Sequence, residues 1–341
     1  MSQQNRPFVS AAAVALALTL LNAFCWWYFD QPPLQTNAGR ATDVIRAPGA
    51  RKSQYREGES GAQRMDENGY NNPADAAADG IDILFMGSSH LEGACVAPGE
   101  NAAAQLEKAL RDAGRTDRVY NLGMSAHSLP RNAGNLGRAL AEYQPKRYVI
   151  IETASVVFGA RAIAAAREDR VGRVDAEALP VPDLIRDRPL FKNVYKQIME
   201  LIAAEGVNND GPKLTAVPET LLGEYRAALG EWFSGLRAEA NAAGVELILC
   251  YHPHLVPQMD GSVRLEEGEG EIRAFAAACA DAGIPFVDLS DAFLRAYAER
   301  RVLPHGFANT ALGVGHLNAE GSRMMAEALA AAILDEEGTR P

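Results

Sequence analysis

Residues 87–90 read Gly-Ser-Ser-His and directly follow IDILFM, a run in which five of six residues are apolar. A serine hydroxyl at the end of such a run is placed to act on a carbonyl, but it has no acidity of its own near neutral pH and becomes a nucleophile only beside a base. The chain holds six histidines, His90, His127, His252, His254, His305 and His316. His316 is the best placed: it lies in a loop rich in glycine just before the last helical stretch, and in a doubly wound sheet that loop returns to the edge where the first strand ends. More than two hundred residues separate Ser89 from His316, as suits a catalytic group recognised by geometry rather than by sequence order. Ser89 is thus the candidate nucleophile and His316 the candidate general base.

Two further positions bear on the same chemistry. Asn121-Leu122-Gly123 ends a second apolar run, and a glycine there lets a backbone N–H approach a developing oxyanion. His252-Pro253-His254 follows a later strand and points to the same face. Two histidines fall short of a four-coordinate site and no cysteine or carboxylate cluster accompanies them, so they are read either as loop structure or, with His90 and Asn309, as lining a substrate pocket. No metal and no cofactor is expected. Cys25, Cys95, Cys250 and Cys279 lack CxxC spacing, which excludes the common zinc and redox motifs; Cys95 and Cys279 alone are free to pair.

The elements that must position these residues alternate regularly. Residues 81–86, 118–123, 147–152, 245–251 and 285–289 read as short buried strands, and 101–113, 131–142, 222–243, 269–282 and 319–334 as helices, the last with Asn318 as its N-cap. Such alternation predicts an α/β fold, a doubly wound parallel sheet of about five strands with helices on both faces. In open sheets of this kind chemistry sits at the carboxyl ends of the strands.

Outside that core, residues 8–29 form an almost unbroken apolar segment closed by Trp26-Trp27-Tyr28, long enough to span a bilayer and flanked by an aromatic belt. The expected layout is a cytoplasmic tail and anchor at 1–29, an extended tether at 30–78 with a composition too poor in apolar residues to fold alone, and a catalytic domain at 79–341; the alternative for 30–78 is an extension docked along the catalytic domain through Ile45 and Tyr55. Within it, 158–221 reads as a helical insertion. A net charge of -11 without a basic cluster excludes nucleic acid as a partner.

A buried strand ending Gly-x-Ser, a strand ending Asn-Leu-Gly and a terminal His-Leu-Asn-Ala-Glu-Gly together resemble the SGNH/GDSL hydrolase superfamily. The resemblance implies a flavodoxin-like three-layer sandwich, Ser89 as nucleophile, His316 as base, and the N–H groups of Ser89 and Gly123 as oxyanion donors. It also exposes departures. Gly313 stands where an acidic residue normally precedes the base by three, leaving a backbone carbonyl, Asn309, Asp291 or a bare dyad as alternatives. The third block ends Glu152-Thr153-Ala154-Ser155 without its asparagine, which makes Thr153 or Ser155 a substitute donor. Anchor, tether and domain together resemble the membrane-anchored SGNH proteins that accompany membrane-bound O-acyltransferases. That implies a single-pass protein of the inner membrane with a periplasmic domain, a membrane-bound acyltransferase as partner, and transfer of an acyl group, most simply acetyl, from an ester to a polysaccharide hydroxyl. An anchored esterase or deacetylase and an inactive scaffold that binds a glycan or membrane partner are the other readings.

Overall fold

The computed structural model describes residues 6–29, 34–36, 42, 44–54, 57–58, 61–159, 163, 216–310 and 313–338. Most of the expected 158–221 insertion therefore lies outside the described residues. The chain divides into two compact units, one holding residues 1–33 and 175–213 and the other 34–174 and 214–341.

Of the first unit, the helix Arg6–Phe29 is described, with Val14, Leu16, Leu18, Leu20 and Phe24 exposed. Among the described residues no helix is long and apolar enough to cross a membrane, so the fold gives the expected anchor no support.

The second unit carries the sheet. Its strands in chain order are β1 (Leu34–Thr36), β2 (Val44–Arg46), β3 (Arg51–Gln54), β4 (Gly61–Arg64), β5 (Ile83–Gly87), β6 (Val119–Gly123), β7 (Tyr148–Thr153), β8 (Glu246–Tyr251), β9 (Leu255–Pro257), β10 (Val263–Leu265) and β11 (Phe286–Asp288). Five of them form one sheet in the order β11-β8-β7-β5-β6, and every pairing in it is parallel. The α/β fold, five parallel strands and approximate strand positions expected from the sequence are all present.

Side chains alternate across this sheet, as a strand's two-residue period requires. Leu84 and Met86 of β5 join the core under the helices Leu129–Gly134, Leu136–Tyr143, Leu222–Ala242 and Glu269–Ala282. Ile83 and Phe85 join the opposite core, under Ala102–Asp112, Ser290–Arg300 and Ala319–Gly338. Both faces are covered, which is why the strands are apolar runs rather than alternating ones. β5 comes first in sequence within the sheet, with the second strand on one side and the third on the other, so the order reverses beside it. The carboxyl end of β5, where Ser88 and Ser89 stand, is that switch point.

Of the two readings of residues 30–78, the described residues from 42 onward fit the docked extension rather than the free tether; Tyr55 lies outside them. Ile45, Met65 and Tyr70 are buried, and β3 and β4 pair antiparallel. The Asp66 carboxylate gathers four donors: the N–H groups of Asn68 and Tyr70, the Asn72 amide and, at 2.6 Å, the Tyr120 hydroxyl. Asn72 in turn exchanges two hydrogen bonds with the backbone of Asn121, and the Arg46 guanidinium meets the buried Glu92 carboxylate. Composition misled here because the docking is polar: buried hydrogen bonds replace the apolar area that the segment lacks. Asp66→Ala leaves several buried donors unsatisfied at about 1–3 kcal/mol each. It is expected to lower the urea midpoint and to expose residues 42–72 to proteolysis before the sheet unfolds.

Candidate active site

Ser89 opens the short helix Ser89–Glu92, capped by Ser88, whose hydroxyl accepts the His90 N–H at 3.2 Å. The turn between β5 and this helix lifts the Ser89 side chain out of the sheet edge. Facing it, the loop before the helix Ala319–Gly338 brings in His316. Asn318 caps that helix by accepting the Gly321 N–H, while its amide donates to the carbonyls of Leu303 and Gly306, so the residue before the cap pair is held on both sides. His316 Nε2 lies 2.9 Å from Ser89 Oγ. The expected nucleophile and base meet.

The third member comes from the docked N-terminal segment. The Glu57 carboxylate receives His316 Nδ1 at 2.7 Å and the His316 backbone N–H at 2.6 Å. Ser89, His316 and Glu57 are a catalytic triad in geometry.

None of the substitutes considered for the acid takes that place. Asn309 instead exchanges two hydrogen bonds with the backbone of Gly58, at 3.1 and 2.9 Å, and so pins the loop that carries Glu57. Gly315 has φ +95°, and a Cβ there would run into the Glu57 carboxylate. Its glycine is therefore required twice, by backbone conformation and by clearance. Gly315→Ala is expected to push Glu57 off His316 and cut kcat by about tenfold to a hundredfold, with the far-UV circular dichroism spectrum unchanged.

Electrostatics follow the geometry. Burial opposes charge on His316, but its hydrogen bonds to Cys95 and Glu57 outweigh burial and push its pKa up to about 10. Burial likewise opposes charge on Glu57, and the hydrogen bonds from His316 outweigh it and hold its pKa below the ordinary value. Cys95 is buried beside this pair, and Cys95, Cys250 and Cys279 are in no disulfide, so Cys95 and Cys279 do not pair.

The oxyanion donors need correction. The Gly123 N–H is taken by the Asn121 side chain at 2.8 Å. A Cβ at Gly123 would strike the backbone of Leu91 and Glu92, so this glycine admits the nucleophile's helix rather than a substrate oxygen. Thr153 is also committed, donating to the Ser155 carbonyl at 2.6 Å and accepting the Ser155 N–H. Ser89 N–H lies in the first turn of its helix, where such groups lack intrahelical partners.

Sequence reading also missed a buried polar chain beneath the nucleophile. Glu152, at the end of β7, accepts the Ser88 N–H at 2.7 Å, the Ser88 hydroxyl at 3.2 Å, and His252 Nε2. His252 Nδ1 then lies 3.3 Å from His305 Nε2. Both histidines are fully buried, so His252 supports the turn from below instead of lining an open pocket. His90 and His254 pack their rings against this pair, and His90 Nδ1 accepts the Leu317 N–H at 3.1 Å. Burial, with the neighbouring histidines, lowers the pKa of His90 and of His305. One signal for this chain was present in the sequence, a carboxylate closing an otherwise apolar strand.

No family model matches the sequence, and no curated protein matches it. Solved structures with a similar arrangement include an SGNH hydrolase described as putative from Slackia heliotrinireducens, at 16% identity with a TM-score of 0.41, over 74% of this chain and 99% of that one. Others are the acetyl xylan esterase AlAXEase, at 13% and 0.38 over 74% and 100%, and TesA, at 17% and 0.39 over 74% and 97%. At such scores the likeness carries no argument about activity; the site geometry does.

Proposed function

We propose that this chain is a serine acyl-transfer enzyme that takes an acyl group from an ester onto Ser89 and passes it to a polysaccharide hydroxyl. The observation that carries the chemistry is the unbroken contact from Ser89 Oγ to His316 to the Glu57 carboxylate. In its neutral form His316 accepts the Ser89 proton as Oγ attacks the ester carbonyl. Ser89 N–H faces the oxyanion that forms, and the imidazolium, stabilised by Glu57, returns the proton to the departing alcohol. An acyl-Ser89 ester remains. The acceptor hydroxyl then gives its proton to His316, attacks the acyl carbon and releases Ser89 as the new ester forms.

Transfer to an envelope polysaccharide, an acyl donor or a membrane-bound acyltransferase as partner, and a periplasmic domain on a single-pass anchor belong to the same proposal. They rest on the sequence resemblance and on the apolar residues 8–29. An esterase or deacetylase is the alternative with identical first steps. A complete triad favours either of these over an inactive scaffold.

The test offers the full chain an activated acetate ester with and without an oligosaccharide acceptor. Transfer predicts acetylated sugar at the expense of free acetate, and loss of both in Ser89→Ala. Unchanged partitioning with acceptor present would leave the esterase. Equal inertness of wild type and Ser89→Ala would remove both catalytic readings.

A further inference from the structure

Five of the six histidines of the chain collect at one end of the sheet, and the acyl-transfer mechanism uses His316 alone. His90 comes from the nucleophile's helix, His252 and His254 from the loop after β8, and His305 from the loop that leads to the base. Ring centroids of the four unused histidines lie within 5.7 Å of His90 or 4.1 Å of one another along the contacts His90 to His252, His254 and His305 and His254 to His305. Such a gathering of imidazoles is costly unless each nitrogen has a partner. That condition is not met: His305 is fully buried, and its Nδ1 has no hydrogen-bond partner among the described residues.

The proton count points to what the cluster is built for. Glu152 accepts the Nε2 proton of His252, which leaves a lone pair on His252 Nδ1. That lone pair faces His305 Nε2 at 3.3 Å. Two nitrogens bound to one tetrahedral zinc at about 2.0–2.1 Å would stand roughly 3.3–3.4 Å apart. A carboxylate on the far nitrogen of a ligating histidine is the usual outer support of a metal site. One ligand atom each from His90, His252 and His305 can be chosen so that all lie within 4.8 Å of one another. Closing that spread to ligand distance requires the three rings to draw together and His90 to give up the Leu317 N–H, which Nδ1 accepts only while Nε2 holds the ring proton.

We propose that His90, His252 and His305 form a three-histidine site for a zinc-class divalent cation, with Glu152 orienting His252 from behind. An all-imidazole donor set suits zinc, nickel or copper and not magnesium or calcium. Three protein ligands leave a fourth position open. The ion would clamp the nucleophile's helix, the loop after β8 and the loop carrying the base, the three segments whose mutual placement sets the Ser89–His316 contact. This inference stands apart from the acyl-transfer reading and survives if that reading fails.

The test strips the full chain with a chelator and titrates it with Co²⁺ alone, followed by visible absorption and equilibrium dialysis. The expected result is a single saturable equivalent with the visible bands of a tetrahedral nitrogen site, lost in His252→Ala and in His305→Gln and weakened in the partly exposed His90→Gln. His316→Ala is expected to keep the bands, which distinguishes this site from the nearby Glu57, Cys95 and His316 group. Zn²⁺ alone is expected to raise the Tm of wild type and not of His90→Gln, a variant that leaves the buried pair intact. The proposal is overturned if wild type binds no stoichiometric ion, if binding survives in His90→Gln and His305→Gln alike, or if it disappears in His316→Ala.

Discussion

Glu57→Gln is expected to lower kcat by roughly 10³- to 10⁴-fold with KM little changed, because loss of the orienting carboxylate leaves the imidazole in the wrong tautomer and its cation unsupported. The substitution keeps the shape of the side chain, so the Gly315 clearance and the Asn309–Gly58 pairing remain. Its pH signature separates this role from a structural one. His316 works as a base when neutral, and the folded site holds it charged up to about pH 10. Wild-type kcat/KM should therefore climb through the alkaline range, and in Glu57→Gln, which keeps the Cys95 hydrogen bond, the limb should move to lower pH. Stability runs with the opposite sign: a raised histidine pKa contributes most below its ordinary value of 6.5 and is lost as pH rises toward about 10. The lowered Glu57 pKa contributes above its ordinary 4.5 and is lost in acid. The pair should thus stabilise wild type over Glu57→Gln most between about pH 4.5 and 6.5, as measured by urea denaturation at fixed pH. A parallel shift of both proteins with pH, and an unmoved rate limb, would show that Glu57 does not act on His316.

Glu152→Ala is expected to cost several kcal/mol, at about 1–3 kcal/mol for each buried donor left without its acceptor. The carboxylate is fully buried and satisfies the Ser88 N–H, the Ser88 hydroxyl and His252 at once. Its loss strands His252 and frees the turn that presents Ser89. Glu152→Gln keeps the volume and one acceptor for the Ser88 N–H but sets an amide against His252, so it should lie between alanine and wild type. Urea midpoints with unchanged m-values would register these steps. If Glu152→Ala unfolds within 1 kcal/mol of wild type, the buried chain is not what holds the nucleophile's turn.

How much of this was legible in the residues divides along physical lines. The five strands were readable because each is a short apolar run stopped by glycine or polar residues, and a parallel sheet covered on both faces requires that pattern. Ser89 and His316 were readable because each ends or precedes an element at a fixed kind of place. Glu57 was not: it sits in Arg-Glu-Gly-Glu-Ser, a stretch with no periodicity, and reaches the base through polar docking centred on Asp66 and Asn72. Gly123 was assigned the wrong task for a related reason. A glycine at a strand end serves close backbone packing and ligand approach equally well, and the helix Ser89–Glu92 lying against it decides between them. The histidine pair His252 and His305 comes from loops fifty residues apart, so their contact at 3.3 Å has no local signature.

The central claim, that Ser89 is a nucleophile driven by His316 and Glu57, is tested most directly by a serine-directed fluorophosphonate with the modified peptide located by mass spectrometry. The triad predicts stoichiometric labelling of wild type at Ser89 and none in Ser89→Ala, with His316→Gln and Glu57→Gln labelled far more slowly than wild type. An unlabelled wild type, a label on Ser88, or a Glu57→Gln rate equal to that of wild type would contradict it.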